Sequence, residues 1–394
     1  QLPASLFVAL CALSLGGCGV AAAPVPTPAP TMRPTLAVPP APPAMAAPTA
    51  AALSTAAPTP RPPAPAGTPR AGGPGGGPAA TVPSLATVTP GPQPDLIFAV
   101  QADPHMDEQS SPTVYKQTLQ GILDARPAFL IDLGDIFMID KLNDKSEAAI
   151  RERYVLMKGY YDLLGSLPLH LVMGNHDGEA GWDKPNARPY RAQYFPAQTG
   201  PKNYYAFEQG GALFVVLDPF AYTTVKPNTD GWKWTLGREQ YDWLRRTLES
   251  SKASHKFVFI HQLVGGDDQG RGGVELARNF EWGGNNPDGG DGFEAHRPGW
   301  GKPLQQLFID TGIDIIFKGH DHFYARQELD GIVYQTVPQP SHPGDRLNTT
   351  DEYGYTNGRI LGGSGFLKVS VFGTAVTVEF VRADGKIADR YTIP

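Results

Sequence analysis

Five short apolar runs in this chain each end in residues able to grip a divalent metal. Residues 96–100 lead to Asp103-Pro104-His105, residues 129–133 to Gly134-Asp135, and residues 167–173 to Gly174-Asn175-His176-Asp177. Residues 257–260 lead to His261, and residues 313–317 to Gly319-His320-Asp321-His322. Carboxylates, an amide oxygen and imidazoles are the donors that suit Mn, Fe or Zn, and delivery at strand ends describes a preformed site. In an extended segment, residues two apart share a side, so Asp103 and His105 should face one point, as should His320 and His322. A glycine precedes Asp135, Asn175 and His320, where a sharp turn or close backbone approach is needed. The other histidines read as structural: His170 in a strand core, His255 at the surface before a strand, and His342 in a loop.

The elements that must position these groups alternate between β and α. Strands are expected over residues 95–101, 128–133 and 168–173, separated by helices over 114–124 and 146–164, the second with Ile150, Tyr154, Met157 and Tyr161 on one face. A hairpin (203–208 and 212–218), a helix (237–250), strands at 256–260 and 312–317, and two more hairpins (326–336 and 366–381) follow. The expected fold is α/β, a two-sheet mixed β-sandwich flanked by helices, increasingly antiparallel towards its end. Between His261 and a helix at 303–310 lies a long loop, 262–302, rich in Gly, Asp and Asn. Leaving directly from a candidate ligand, it is expected to wall the substrate pocket. Trp282, Phe293 and Trp300 would meet an organic moiety, and Arg278 or Arg297 a phosphate oxygen. Asp267, Asp268, Asp288 and Asp291 fit no ordered calcium loop and read as solvated turns.

Charge and composition narrow the function. Of 394 residues, the first 94 are dominated by Pro, Ala, Thr and Gly and carry only Arg33, Arg61 and Arg70. Such a stretch buries too little apolar area to order itself and reads as a semi-rigid spacer. The whole chain has a formal charge of −6, so residues 95–394 sum to −9, which argues against binding nucleic acid. Both cysteines, Cys11 and Cys18, lie at the front, so metal must be held by N and O donors. Residues 6–15 have the length of a signal-peptide core rather than a membrane span. The expected organisation is a signal segment at 1–18 whose beginning is missing, a spacer at 19–94 and a catalytic domain at 95–394. Leu15-Gly16-Gly17-Cys18 resembles a bacterial lipobox. That resemblance implies lipidation at Cys18 and an extracytoplasmic, membrane-anchored protein of the cell envelope, or a secreted one if the lipobox is not used.

The ordered blocks Asp-x-His, Gly-Asp, Gly-Asn-His-Asp, His and Gly-His-x-His, spanning residues 103–322, resemble the calcineurin-like metallophosphoesterase superfamily. The resemblance implies two metal ions. Asp103, His105 and His322 would hold one, Asn175, His261 and His320 the other, and Asp135 would bridge them. It further implies that His176 stands over the substrate as a general acid, with Asp177 orienting its imidazole. Two cations ~3.5–4 Å apart would neutralise an anionic ester and acidify an attacking water. Ala102 stands where the family often has serine, and Met138 where purple acid phosphatases carry an iron-ligating tyrosine, so the resemblance is to the broader family. Mn, Fe or Zn all remain compatible with the donors. The expected activity is dinuclear metal-dependent hydrolysis of small phosphate esters, monoesters before diesters. The alternatives are a phosphodiesterase or nuclease of the same chemistry, or a non-catalytic metal-binding surface lipoprotein. Oligomeric state is not legible.

Overall fold

A computed structural model describes residues 93–106, 109–181, 187–195, 202–223, 230–265 and 270–394. The signal segment, Cys18, Asp267 and Asp268 lie outside the described residues, as does nearly all of the spacer.

The first sheet begins with three parallel strands, β1 (Leu96–Gln101), β2 (Leu130–Asp132) and β3 (Leu169–Leu171). They are joined by helices α1 (Pro112–Asp124) and α2 (Glu147–Tyr161). Sequence sets both helix starts: Ser111 and Ser146 accept the backbone N–H groups of Val114 and Ala149, and Pro112 occupies the first turn of α1. The stripe Ile150, Tyr154, Met157 and Tyr161 is buried. After a four-residue helix α3 (Arg191–Tyr194), the second sheet opens with a hairpin, β4 (Tyr205–Gln209) and β5 (Ala212–Val216). Helix α4 (Gly237–Ser250) leads to β6 (His255–Ile260), and short helices α5 (Phe280–Gly283) and α6 (Phe293–His296) precede α7 (Leu304–Thr311) and β7 (Ile315–Lys318). Strands β8 (Tyr324–Leu329), β9 (Ile332–Thr336) and β10 (Arg359–Leu361) finish that sheet, and β11 (Gly365–Phe372), β12 (Ala375–Arg382) and β13 (Ile387–Ile393) return to the first.

The strand orders are β13-β12-β11-β1-β2-β3 and β10-β8-β9-β7-β6-β5-β4. Both sheets are mixed, with parallel runs β1-β2-β3 and β5-β6-β7-β9 at their hearts. Alternation along the strands makes the layers. Phe98, Phe257, Phe259 and Phe317 point between the sheets, where Phe98 meets Phe129, Phe214 and Phe317 at ring distances of 5.6, 5.1 and 6.2 Å. Ala99 and Leu130 face α1 and α2, whereas Val258, Ile260 and Ile316 face α4 and α7. Strands buried on both faces explain the near-continuous apolar runs. His255, expected at the surface, is instead buried as the first residue of β6, with its Nε2 3.2 Å from the Gly373 carbonyl. His170 is half-buried and stacks on Phe207 at 4.4 Å. Among the described residues, no helix is long and apolar enough to cross a membrane.

Candidate metal centre

The parallel strands end on the same rim, and the loops beyond β1, β2, β3, β6 and β7 bring the candidate ligands together. Asp103, His105 and His322 offer atoms within 4.8 Å of one another, and so do Asp135, His261 and His320. Asn175 joins the second group, its Oδ1 lying 3.0 Å from His261 Nε2. Asp135 Oδ2 stands between the groups, 3.2 Å from His261 Nε2 and 3.7 Å from His105 Nε2.

The local backbone differs from the extended pincers expected. Asp103, His105, Asp135, His320 and His322 all adopt positive φ, between 50° and 70°. The convergence therefore comes from left-handed turns, a conformation that costs a non-glycine residue about 1–3 kcal/mol and concentrates at functional sites. The loops hold one another there: Asp103 N–H donates to the Gly134 carbonyl, His105 N–H to that of Asp135, and His320 N–H to Asp103 Oδ2 at 2.8 Å. The glycines serve close approach. A Cβ on Gly174 would lie 2.1 Å from Asp135 Oδ1, and one on Gly319 2.6 Å from Asp103 Oδ2.

The donor set fits cations. His261 Nδ1 donates to the Leu133 carbonyl at 2.8 Å, so that in the neutral imidazole the Nε2 lone pair faces Asn175 Oδ1 and, at 3.2 Å, His320 Nδ1. His105 Nε2 and His322 Nε2 approach to 2.9 Å. Asp103 Oδ1 and Asp135 Oδ2 are buried without a hydrogen-bond partner among the described residues. Electron-pair donors directed at one another, with unsatisfied buried carboxylate oxygens between them, are what a cation would reconcile. The same crowding shifts the proton affinities of these groups. Burial alone would raise Asp103, but the imidazoles of His261, His105 and His322 hold its carboxyl well below the usual range. Burial opposes a proton on His261, yet Asp135 and Asp103 raise it to about 9, whereas burial carries His322 down to about 4.

His176 sits in the 3-10 turn Asn175–Asp177, partly exposed where its neighbours are buried. Its ring centroid is 5.6 Å from that of His105, and its backbone N–H donates to Asp135 Oδ1 at 2.7 Å. Asp177, expected to orient the imidazole, is held by backbone donors. Its two oxygens accept backbone N–H groups of Gly174, Asp135 and Ile136 at 2.8, 3.1 and 3.0 Å, which ties the β2 and β3 loops together.

The loop after His261 also departs from expectation. It is folded by α5, α6 and isolated bridges, and Trp282, Phe293 and Trp300 are core residues on the outer face of the second sheet. Arg297 donates to Glu281 and to the carbonyls of Trp232 (2.6 Å) and Trp234 (3.1 Å), so its donors are occupied in packing the loop. Arg278 is exposed, and only its backbone makes a hydrogen bond among the described residues. Asp288 and Asp291 close turns onto Gly290 and Phe293 N–H groups. A cation beside the candidate ligands that the sequence does not single out is Arg271, which donates to the His320 carbonyl and lies 3.6 Å from Asp321 Oδ1. Asp321 is held by buried Lys318 at 2.6 Å and by the Tyr355 hydroxyl at 2.6 Å. These partners are 3 and 34 residues from Asp321, and only the tertiary fold reveals the second.

Residues 96–324 match the calcineurin-like phosphoesterase family, which covers more than half of the chain. The chain belongs to that family. It is a metal-dependent phosphoester hydrolase. Among solved structures, it resembles PhoD (TM-score 0.52, 15% identity, 77% of this chain and 70% of that one). It also resembles a dimetal phosphatase from Danio rerio (TM-score 0.51, 14% identity, 76% and 99%). A third likeness is to the purple acid phosphatase PPD1 of yellow lupin (TM-score 0.50, 17% identity), where the match spans 76% of this chain but only 53% of that one. At such identities the likeness is one of fold. No curated protein matches by sequence.

Proposed function

We infer that the chain hydrolyses phosphate monoesters at a dinuclear metal centre, with Asp103, His105 and His322 on one ion, Asn175, His261 and His320 on the other, and Asp135 shared. The observation that carries this reading is Asp135 Oδ2, a buried oxygen lying within 3.7 Å of an imidazole nitrogen from each group. Metals held there supply charge neutralisation for the ester and acidify the attacking water. Mn, Fe and Zn all suit the donors.

The chain's own residues do the rest. Leu133 fixes the tautomer of His261, and Asp177 and Gly174 keep the loop of the shared carboxylate in register. His176, anchored through its backbone to Asp135 and partly open to solvent, gives a proton to the leaving alkoxide as the P–O ester bond breaks. Residues 95–394 carry a net −9, which favours small esters over long polyanions. We assign Cys18 as a lipid anchor on the strength of Leu15-Gly16-Gly17-Cys18 alone; mass spectrometry of the mature protein should find it acylated. A mature protein starting beyond that cysteine would contradict the assignment.

The proton donor is tested by leaving groups. In His176→Ala, hydrolysis of an alkyl phosphate, whose alkoxide needs a proton, should fall ~10²–10⁴-fold. Nitrophenyl phosphate, whose leaving group departs unprotonated, should lose far less. Equal losses on both esters, or none, would remove His176 from that role.

A further inference from the structure

The chain that leaves β9 crosses the ligand rim once more. Because β9 runs parallel to β7, residues 337–341 emerge beside the 319–322 turn, and Val337 N–H donates to the Lys318 carbonyl at 2.8 Å. The segment is buried throughout. It bonds both ligand loops of the first ion group. Gln339 N–H donates to the His322 carbonyl at 3.2 Å, and the Ser341 hydroxyl donates to the Pro104 carbonyl at 2.6 Å. The start of α1 anchors the segment in turn. The Ser341 carbonyl accepts Ser111 N–H at 2.8 Å, and the Pro340 carbonyl accepts the Thr118 hydroxyl at 2.8 Å. Neither Ser341 nor Thr118 has exposed surface.

These bonds meet residues that need holding. Asp103, His105 and His322 have φ of 58°, 50° and 69°. Such backbone persists only where the surroundings over-determine it. Pro104, between the first two, has no N–H, so its carbonyl is the backbone group through which that residue can be tied down. Ser110 Oγ reaches the same carbonyl at 3.3 Å, and the Ser341 bond is the shorter. The second ion group is secured by other means: Leu133 fixes His261, and Asp177 joins the loops of Asp135 and Gly174. The two supports have no residue in common.

We propose that residues 337–341 form a strap that positions the ligands of the first ion, with the Ser341 hydroxyl as its anchor on the Asp103-Pro104-His105 turn, and that this strap sets the affinity of the first ion and not that of the second. Ser341 is a positioning residue, acting through the backbone that carries Asp103 and His105. The proposal rests on the dinuclear reading above.

The test uses the full chain, stripped of metal and titrated with Mn²⁺ by calorimetry, as wild type and as Ser341→Ala, which removes the hydroxyl alone. His322→Ala and Asn175→Ala mark which binding event belongs to which group. Ser341→Ala should weaken the event that His322→Ala abolishes by about 10- to 100-fold, as loss of a partner behind metal ligands does. It should leave the event that Asn175→Ala abolishes within about threefold of wild type. The Mn²⁺ concentration that half-activates hydrolysis of 4-nitrophenyl phosphate should rise with the weakened event. A lower melting temperature with both events intact, or equal weakening of both, would give Ser341 a structural role only and overturn the proposal. A wild-type chain that takes up one ion would count against the dinuclear reading instead. The strap would then be judged on that ion, upheld if Ser341→Ala weakens it at least about tenfold and overturned if it does not.

Discussion

Gly174→Ala should disable the site although it removes no ligand. Gly174 has a φ of −92°, open to any residue, so the site uses its small size rather than its freedom. A Cβ there would stand 2.1 Å from Asp135 Oδ1 and 2.2 Å from Asp135 N, while ordinary contact begins at 3.4 Å. Rotating the carboxylate could relieve the first clash but not the second, which is with backbone. Asp177 Oδ2 clamps both strands of this contact, accepting Gly174 N–H at 2.8 Å and Asp135 N–H at 3.1 Å. The loops must part by about 1 Å, and the displaced residue is the carboxylate placed between the two ligand groups. Overpacking of this kind costs about 1–3 kcal/mol in stability. A 1 Å misplacement at a reacting centre costs on the order of 10² in rate. We therefore expect Gly174→Ala to bind Mn²⁺ at least about tenfold more weakly by calorimetry and to lose ~100-fold in kcat on nitrophenyl phosphate. Gly159, exposed on α2 with nothing within 4 Å of an added Cβ, is the control. Its replacement by Ala should stabilise the fold by ~0.5–1 kcal/mol and leave activity alone. A Gly174→Ala protein that holds its metal and turns over within about threefold of wild type would refute the packing argument.

Two further variants probe buried charges near the site. Asp132 accepts from Gln101, Tyr161 and Gly134 N–H, and burial, opposed by those hydrogen bonds, raises its carboxyl to about 7. Between pH 4 and 7 the folded state binds this proton and the unfolded state does not, so stability falls as pH rises through that window, by up to ~4 kcal/mol. Asp132→Asn removes the term, and Gln101 can turn its unpartnered Oε1 towards the new amide. The variant should gain stability over wild type at pH 8 relative to pH 5 in thermal melts; parallel pH profiles would contradict this. Lys318→Met leaves Asp321 buried without its ammonium and should destabilise by ~3–5 kcal/mol in denaturant. Lys318→Met/Asp321→Asn should recover part of that loss, and strict additivity of the two single effects would show that the pair is not coupled.

How much was legible follows from how far apart in the chain the causes lie. The candidate ligands could be read because each follows a strand whose apolar run announces it, and α4 was bounded as found because its apolar stripe of Tyr241, Leu244 and Leu248 is local. Strand β13 escaped notice because it is a half-exposed edge with little alternation in burial, and β10, α5 and α6 are too short for any period to show. The left-handed turns at five candidate ligands were invisible because reasoning from strand periodicity assumes that extension continues past the strand end. What each arginine of the loop after His261 meets is set by tertiary structure. Arg297 is satisfied by carbonyls 65 and 63 residues away and Arg271 is placed by a carbonyl 49 residues away, and nothing in the loop's own sequence distinguishes them.

The central claim is that two ion sites share Asp135, and metal stoichiometry tests it most directly. Purified chain reconstituted with Mn²⁺ after chelation should hold two ions per polypeptide by elemental analysis, regain its phosphoesterase activity, and fall below two in Asp135→Ala. A fully active protein holding one ion or none, or an Asp135→Ala variant retaining both, would contradict the account.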